Sequence, residues 1–412
     1  MKNKLHLFNL SVFLQTQIFM LPVLLLFYQH NGLTVGDFFL FQGIFSLSAL
    51  LFEIPMGYLG DIFSKRNVLI LSYAFFIMRL LLWLFFAHYG YWILLFGEIL
   101  YAAQKASFAG ASDSYIYDYL TFKNMPNKMI RNYGKMNFFM SLGVTFSSLM
   151  GAGIYAAVSE YSLEKYNHNY GFTVLIAIEL ILNLTAVSLL FFLPKLPQTT
   201  HNQTTITDSY KKLFSTITWT MKNKDIRYHI FYSGLLAAIS VVFIWSFQPI
   251  MKLLFIPVYL YGFAYFLNHL FRAISSLCAD KIKSFFSLSG LGSLVFFLFS
   301  LGFIFTFAIL NFPSTPIWLA FLYFAFISLA IGAQLAFYLI NVGRLHTFVP
   351  PQTRTTSSSV NVAVGRLFAG FFFILIKILL DGESIQTSLG ICFVIFLITS
   401  FVIKKRYNLY QR

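Results

Sequence analysis

The 412-residue chain is 58% hydrophobic and only 10% charged, with a mean hydropathy of +0.74. Soluble globular chains carry about 25% charged residues, so the two or three soluble domains that the length alone would allow are excluded and a membrane protein is expected. The formal net charge of +15, from 29 Lys and Arg against 14 Asp and Glu, would suggest nucleic acid in a soluble protein; here it depends on where the charges lie.

The N-terminus has a basic start followed by an apolar stretch of about twenty residues, longer than a signal-peptide core and without a small-residue cleavage site, and reads as a retained first span. Windows of about 20 mostly apolar residues then recur between short polar breaks. Spans are expected at 7–28, 37–59, 68–88, 91–117, 135–158, 171–193, 228–249, 257–278, 285–309, 316–340, 358–380 and 387–403. The fold class is an all-α membrane protein of twelve transmembrane helices, and the even count puts both termini on one side.

The basic residues test that topology, because cytoplasmic loops are enriched in Lys and Arg. Only Lys165 and Lys252 fall in one set of loops, and Arg79, Lys105, Arg272, Arg366 and Lys377 lie within spans. Every other Lys and Arg occupies the opposite set of loops or a terminus. Both termini are therefore expected in the cytoplasm, the charge is topogenic, and no nucleic-acid partner is expected. Cys278 and Cys392 sit far apart in apolar runs, which argues against a disulfide framework or a thiolate metal site; no cofactor or metal is expected.

The longest polar stretch is central. It divides the chain into a six-helix bundle over 1–193, a cytoplasmic linker over 194–227 and a second six-helix bundle over 228–412. Between Tyr210 and Lys224 the linker spaces Leu213, Ile217 and Met221 four apart among lysines, the pattern of a short helix on the membrane surface or of a solvated basic loop. The loop Gly57 to Arg66 has a counterpart at Ser276 to Lys283, each with a small residue four before an acid, Asp61 or Asp280, and basic residues after it. A second pair, Arg131 to Asn137 and Arg354 to Asn361, falls at a similar offset. Such internal repeats are common in secondary transporters.

The loop Gly57-x-Leu59-x-Asp61-x-x-Ser64-Lys65-Arg66 resembles the signature between helices 2 and 3 of the major facilitator superfamily (MFS), written G-x-L-x-D-R-x-G-R-R/K. Ile62 stands where a basic residue is usual and Ser64 where glycine is. Phe52-Glu53-Ile54-Pro55-Met56-Gly57, the stretch from Ala109-Gly110-Ala111-Ser112-Asp113 through Tyr117-Asp118, and Pro350-Pro351-Gln352-Thr353-Arg354 resemble one bacterial, drug- or metabolite-efflux-like branch of it. The resemblance implies two six-helix bundles and a cytoplasmic latch built from Gly57, Asp61, Lys65, Arg66, Asp113, Asp118 and Asp280; the plainer alternative is a topogenic basic loop capped by an acid. Drug/proton antiporters of the superfamily often carry a glycine-rich motif with a Gly-Pro pair in helix 5. Span 5 offers Gly143, Gly151 and Gly153 without a proline, which weakens the antiport reading and suits close helix packing.

An ionisable group inside a span costs about 2.5–3.5 kcal/mol on insertion scales, so each is a functional candidate. Arg79 is expected roughly 16 Å from the cytoplasmic edge of span 3 and Glu98 about 20 Å from the inside on span 4, so they can meet across the hairpin. Lys105 follows Glu98 on the same face of span 4, and Lys377 should reach outward. The coupling candidates are Glu98, Arg79, Lys105 and, on span 6, Glu179. Glu98 would take up a proton as Arg79 or Lys105 moves away and release it as they approach; the competing reading is a static pair that fixes helix packing. Gln15, Gln17, Gln104, Gln248, Asn268 and Gln334 could orient a ligand in a cavity, although buried amides more often join helices.

Three functions stay open: a proton-coupled exporter of small amphipathic molecules, a proton-coupled importer of a metabolite, and an integral-membrane enzyme. The scattered His residues and the absence of HExxH, HxxxD and Walker A patterns speak against the enzyme and against ATP drive. The expected partners are a small-molecule substrate, protons and the lipid bilayer, with a monomer in a bacterial inner membrane.

Overall fold

The computed structural model describes residues 4–408 except 126–127, 197–210, 212–214, 216–217, 219–221, 313–314 and 349–353. Most of the described residues are helical, and no strand occurs among them. In chain order the helices are α1 Leu5–Gln15, α2 Leu24–His30, α3 Val35–Ile62, α4 Lys65–Phe86, α5 Tyr91–Phe122, α6 Met129–Tyr166, α7 Gly171–Phe191, α8 Lys224–Leu253, α9 Tyr261–Phe285, α10 Leu288–Asn311, α11 Ile317–Phe348, α12 Arg354–Leu380 and α13 Ile385–Asn408. Among the described residues nine are long and apolar enough to cross a membrane. Three of the twelve expected spans are not in that set for physical reasons. Span 1 is broken into α1 and α2, and spans 4 and 8, in α5 and α9, carry the polar residues discussed below.

Helix starts follow local chemistry. Ser64 caps α4, its hydroxyl accepting from the Asn67 amide at 3.4 Å, so the departure from glycine in the loop signature supplies an N-cap. Asn223 and Ser287 cap α8 and α10 in the same way. The expected linker helix lies mostly outside the described residues.

The chain forms two compact units. One comprises Met1–Thr34, Ser48–Ser209 and Pro257–Phe266; the other comprises Val35–Leu47, Tyr210–Ile256 and Leu267–Arg412. Each sequence half thus gives a short piece, from α3 or α9, to the unit built mainly from the other half.

In the first unit, Phe8, Val12, Val68, Leu69, Tyr73, Phe108, Tyr115 and Tyr119 form a buried core. Hydrocarbon is as apolar as these side chains, so close packing and hydrogen bonds hold the helices together. The break in span 1 runs from Thr16 to Met20, ahead of a 3-10 turn at Leu21–Val23 that contains Pro22. Helix α6 backs the break with its glycines: a Cβ at Gly143 would meet Thr16 and the Phe13 carbonyl, and one at Gly151 would meet the Phe19 backbone, whereas Gly153 faces open space. The structure predicts opposite outcomes for two alanines. Gly153→Ala raises stability by about 0.5–1 kcal/mol through helix propensity, while Gly151→Ala must displace the Phe19 backbone and lowers the melting temperature of the purified protein.

In the second unit, α8 and α12 cross closely at Gly234, where a Cβ would lie 3.0 Å from the Gly365 amide nitrogen. The first part of α3 packs on α12 through Gly43, Gly370 and the stacked rings of Phe39 and Phe373, whose centroids are 6.1 Å apart. Lys377, in the last turn of α12, pairs with Asp381 and, at 3.9 Å, with Asp37. His229 and Asn341 are joined by a buried 2.7 Å contact.

Candidate functional site

All four coupling candidates lie in the first unit, and two of them, Arg79 and Glu98, meet directly. Among the described residues α4 and α5 form the most extensive helix pair, an antiparallel hairpin turned by Gly90 at φ +76°. Arg79 Nη2 donates to Glu98 Oε1 at 2.8 Å, and the two side chains are only 4% and 2% exposed. Tyr28, on the second half of the broken span, donates its hydroxyl to the same oxygen at 2.6 Å. The guanidinium stacks 3.9 Å from the Trp83 ring centre and 4.3 Å from that of Tyr101. Gly97 permits this, because a Cβ there would occupy the space of the Trp83 indole. Glu98 is thus held by a charged and a neutral donor, and Arg79 by one carboxylate and an aromatic box.

Glu179 sits within electrostatic reach of Arg79 but binds elsewhere. Its Oε1 accepts from the Met20 amide at 2.7 Å. The Ile18 amide donates to Ser147 Oγ at 2.9 Å. Backbone freed by a broken helix must find partners inside a bilayer, and here α6 and α7 provide them. Lys105 lies 5.0 Å from the Tyr101 ring centre and has no carboxylate partner among the described residues. Arg79, rather than Lys105, is the partner of Glu98.

All six cavity candidates are buried. Gln15, Gln104 and Asn268 have both amide atoms without a hydrogen-bond partner. Of the latch residues, Lys65 lies within electrostatic reach of Asp118, and Asp113 accepts from Ser112 at 3.3 Å. Arg66 donates to the Leu193 carbonyl just past α7 at 2.9 Å and stacks on Phe191, while Gly57 is open on its helix face. The side chains of Asp61, Asp280 and Arg354, and residues Pro350 and Pro351, lie outside the described residues.

Sequence reasoning missed Tyr28, the break and the role of Ser147. The signals were present as Gln15-Thr16-Gln17, a polar triplet inside an apolar run, followed by Leu21-Pro22.

A family model for the Major Facilitator Superfamily matches residues 5–374. The chain belongs to this superfamily. No curated protein matches it. Among solved structures, a variant of the nucleoside transporter NupG is similar with a TM-score of 0.74 at 14% identity, over 98% of this chain and 100% of that one. A bacterial homologue of the human lysosomal transporter Spinster gives 0.71 at 14% identity, over 99% and 97%. The D-xylose-proton symporter also gives 0.71 at 14% identity, over 97% and 95%. With that membership, the buried ion pair belongs to an MFS transporter rather than to an enzyme.

Proposed function

We propose that this MFS transporter is a proton-coupled secondary carrier that exports small amphipathic molecules across a bacterial inner membrane by alternating access. The observation that carries the reading is the Tyr28–Glu98–Arg79 cluster. A carboxylate this deep is neutralised either by its guanidinium partner or by a proton, and a conformational change that withdraws Arg79 exchanges one for the other. The positive-inside bias supports cytoplasmic termini, and the internal repeats support two six-helix halves working as a monomer. Lys65 near Asp118 supports a cytoplasmic latch in which Asp61, Asp113 and Asp280 take part. The efflux direction is supported by the helix-end sequences Phe52 to Gly57 in α3 and Ala109 to Asp118 in α5. A proton-coupled importer is the second reading, favoured by the likeness to a nucleoside transporter and a D-xylose-proton symporter.

The test is a susceptibility and uptake screen in an efflux-deficient bacterial strain with and without the protein. Export predicts that expressing cells accumulate less of at least one dye, antibiotic or chelator. Greater accumulation of a labelled metabolite, with no change for the toxic compounds, would replace export by import.

A further inference from the structure

Helix α9 carries two polar side chains that the ion-pair cluster does not use. Asn268 and Arg272 are four residues apart and share one face. Arg272 lies roughly 16 Å along the helix from Tyr261, near the middle of α9 and inside the expected span 257–278. The other membrane cations with ion pairs described above answer to carboxylates: Arg79 to Glu98, and Lys377 to Asp37 and Asp381. Arg272 makes no ion pair or hydrogen bond among the described residues, and its titratable neighbour, His269, brings no negative charge. Asn268 is 1% exposed, and its Nδ2 and Oδ1 both lack a partner. α11 crosses the same stretch at Gly332, beside Ser275 and the Phe271 carbonyl, so the amide is enclosed rather than turned to lipid.

A guanidinium cannot shed its proton to escape the bilayer. An unpaired one within a membrane span, next to an unpartnered buried amide, marks a place for a carrier to hold the polar part of its substrate. We propose that Arg272 and Asn268 form the receptor for the polar end of the transported solute: a carboxylate with a hydroxyl or amino group beside it. The guanidinium fork matches both carboxylate oxygens. Asn268 Nδ2 adds a donor to the anion, and Oδ1 accepts from the neighbouring hydroxyl or amine. The inference rests on the carrier reading and narrows its substrates to carboxylated amphipaths.

The experiment reads the site without transport, so its failure is separable from failure of the carrier reading. In a full-length carrier with Cys278→Ser and Cys392→Ser, Asn268→Cys is modified with sulfonatoethyl methanethiosulfonate or its trimethylammonioethyl counterpart. The anionic reagent is expected to react roughly tenfold faster, relative to the two rates on a free thiol. Adding Arg272→Gln should abolish the preference. Equal rates, a preference for the cation, no reaction with either reagent, or a preference that survives Arg272→Gln would overturn the proposal. The second measurement uses the native cysteines. Sodium L-lactate, L-malate or L-glutamate should raise the melting temperature of the purified carrier, lactamide should not, and Arg272→Gln should remove the effect. Stabilisation by none of the three acids, or stabilisation that persists in Arg272→Gln, would also overturn it.

Discussion

Replacing Arg79 by Leu is expected to destabilise the carrier by about 3–5 kcal/mol, because a deeply buried carboxylate loses its charged partner. Glu98 would keep only the Tyr28 hydroxyl, which neutralises nothing. The double variant Arg79→Leu/Glu98→Leu removes both charges and should recover most of the loss, since a buried pair contributes little against apolar residues of similar volume. Arg79→Lys should fall between wild type and Arg79→Leu: it keeps the charge and loses the planar stack on Trp83 and Tyr101. Thermal unfolding of the purified variants in detergent orders them. A double variant as unstable as Arg79→Leu would mean that the side chains act through packing and not through charge.

The next largest effect is expected at Glu179. Replacement by Leu strands the Met20 amide inside the membrane without its acceptor. Each unsatisfied buried donor costs about 1–3 kcal/mol. Glu179→Gln retains a carbonyl oxygen of the same reach and should lose far less. Hydrogen exchange at Met20 reports the break directly: protection should collapse in Glu179→Leu and survive in Glu179→Gln. Equal collapse in both would show that the negative charge, and not the acceptor geometry, holds the break. The carboxylate therefore has a structural task in span 1 that is distinct from the charge pairing at Glu98.

The spans were legible because about 20 apolar residues are needed to cross a bilayer, and the polar breaks between them are short. Helix ends were less so: α5, α6 and α11 run several residues past the expected spans, since a helix continues into the interface wherever caps and packing allow. The Arg79–Glu98 contact could be anticipated from depth alone, because both positions follow from counting residues along an antiparallel hairpin. Which cation Glu98 would choose could not, because Arg79 and Lys105 differ in rotamer and in the room that Gly97 leaves for Trp83. Glu179 reads in the sequence as a coupling candidate because span 1 reads as one continuous helix. Its partner is the Met20 backbone amide, and no side-chain pattern announces that. Asn268 and Arg272 were both visible as polar residues in span 8, but only the packed structure separates a satisfied amide from an unsatisfied one.

The central claim, that Glu98 carries the coupled proton, is tested most directly with Glu98→Gln in proteoliposomes, using a compound from the susceptibility and uptake screen. The variant keeps an acceptor for Tyr28 and cannot change protonation. Uptake driven by an imposed pH gradient should be abolished, while exchange of internal for external compound at equal pH should continue. Gradient-driven transport at the wild-type rate in Glu98→Gln would contradict the claim and leave the Tyr28–Glu98–Arg79 cluster as a packing element.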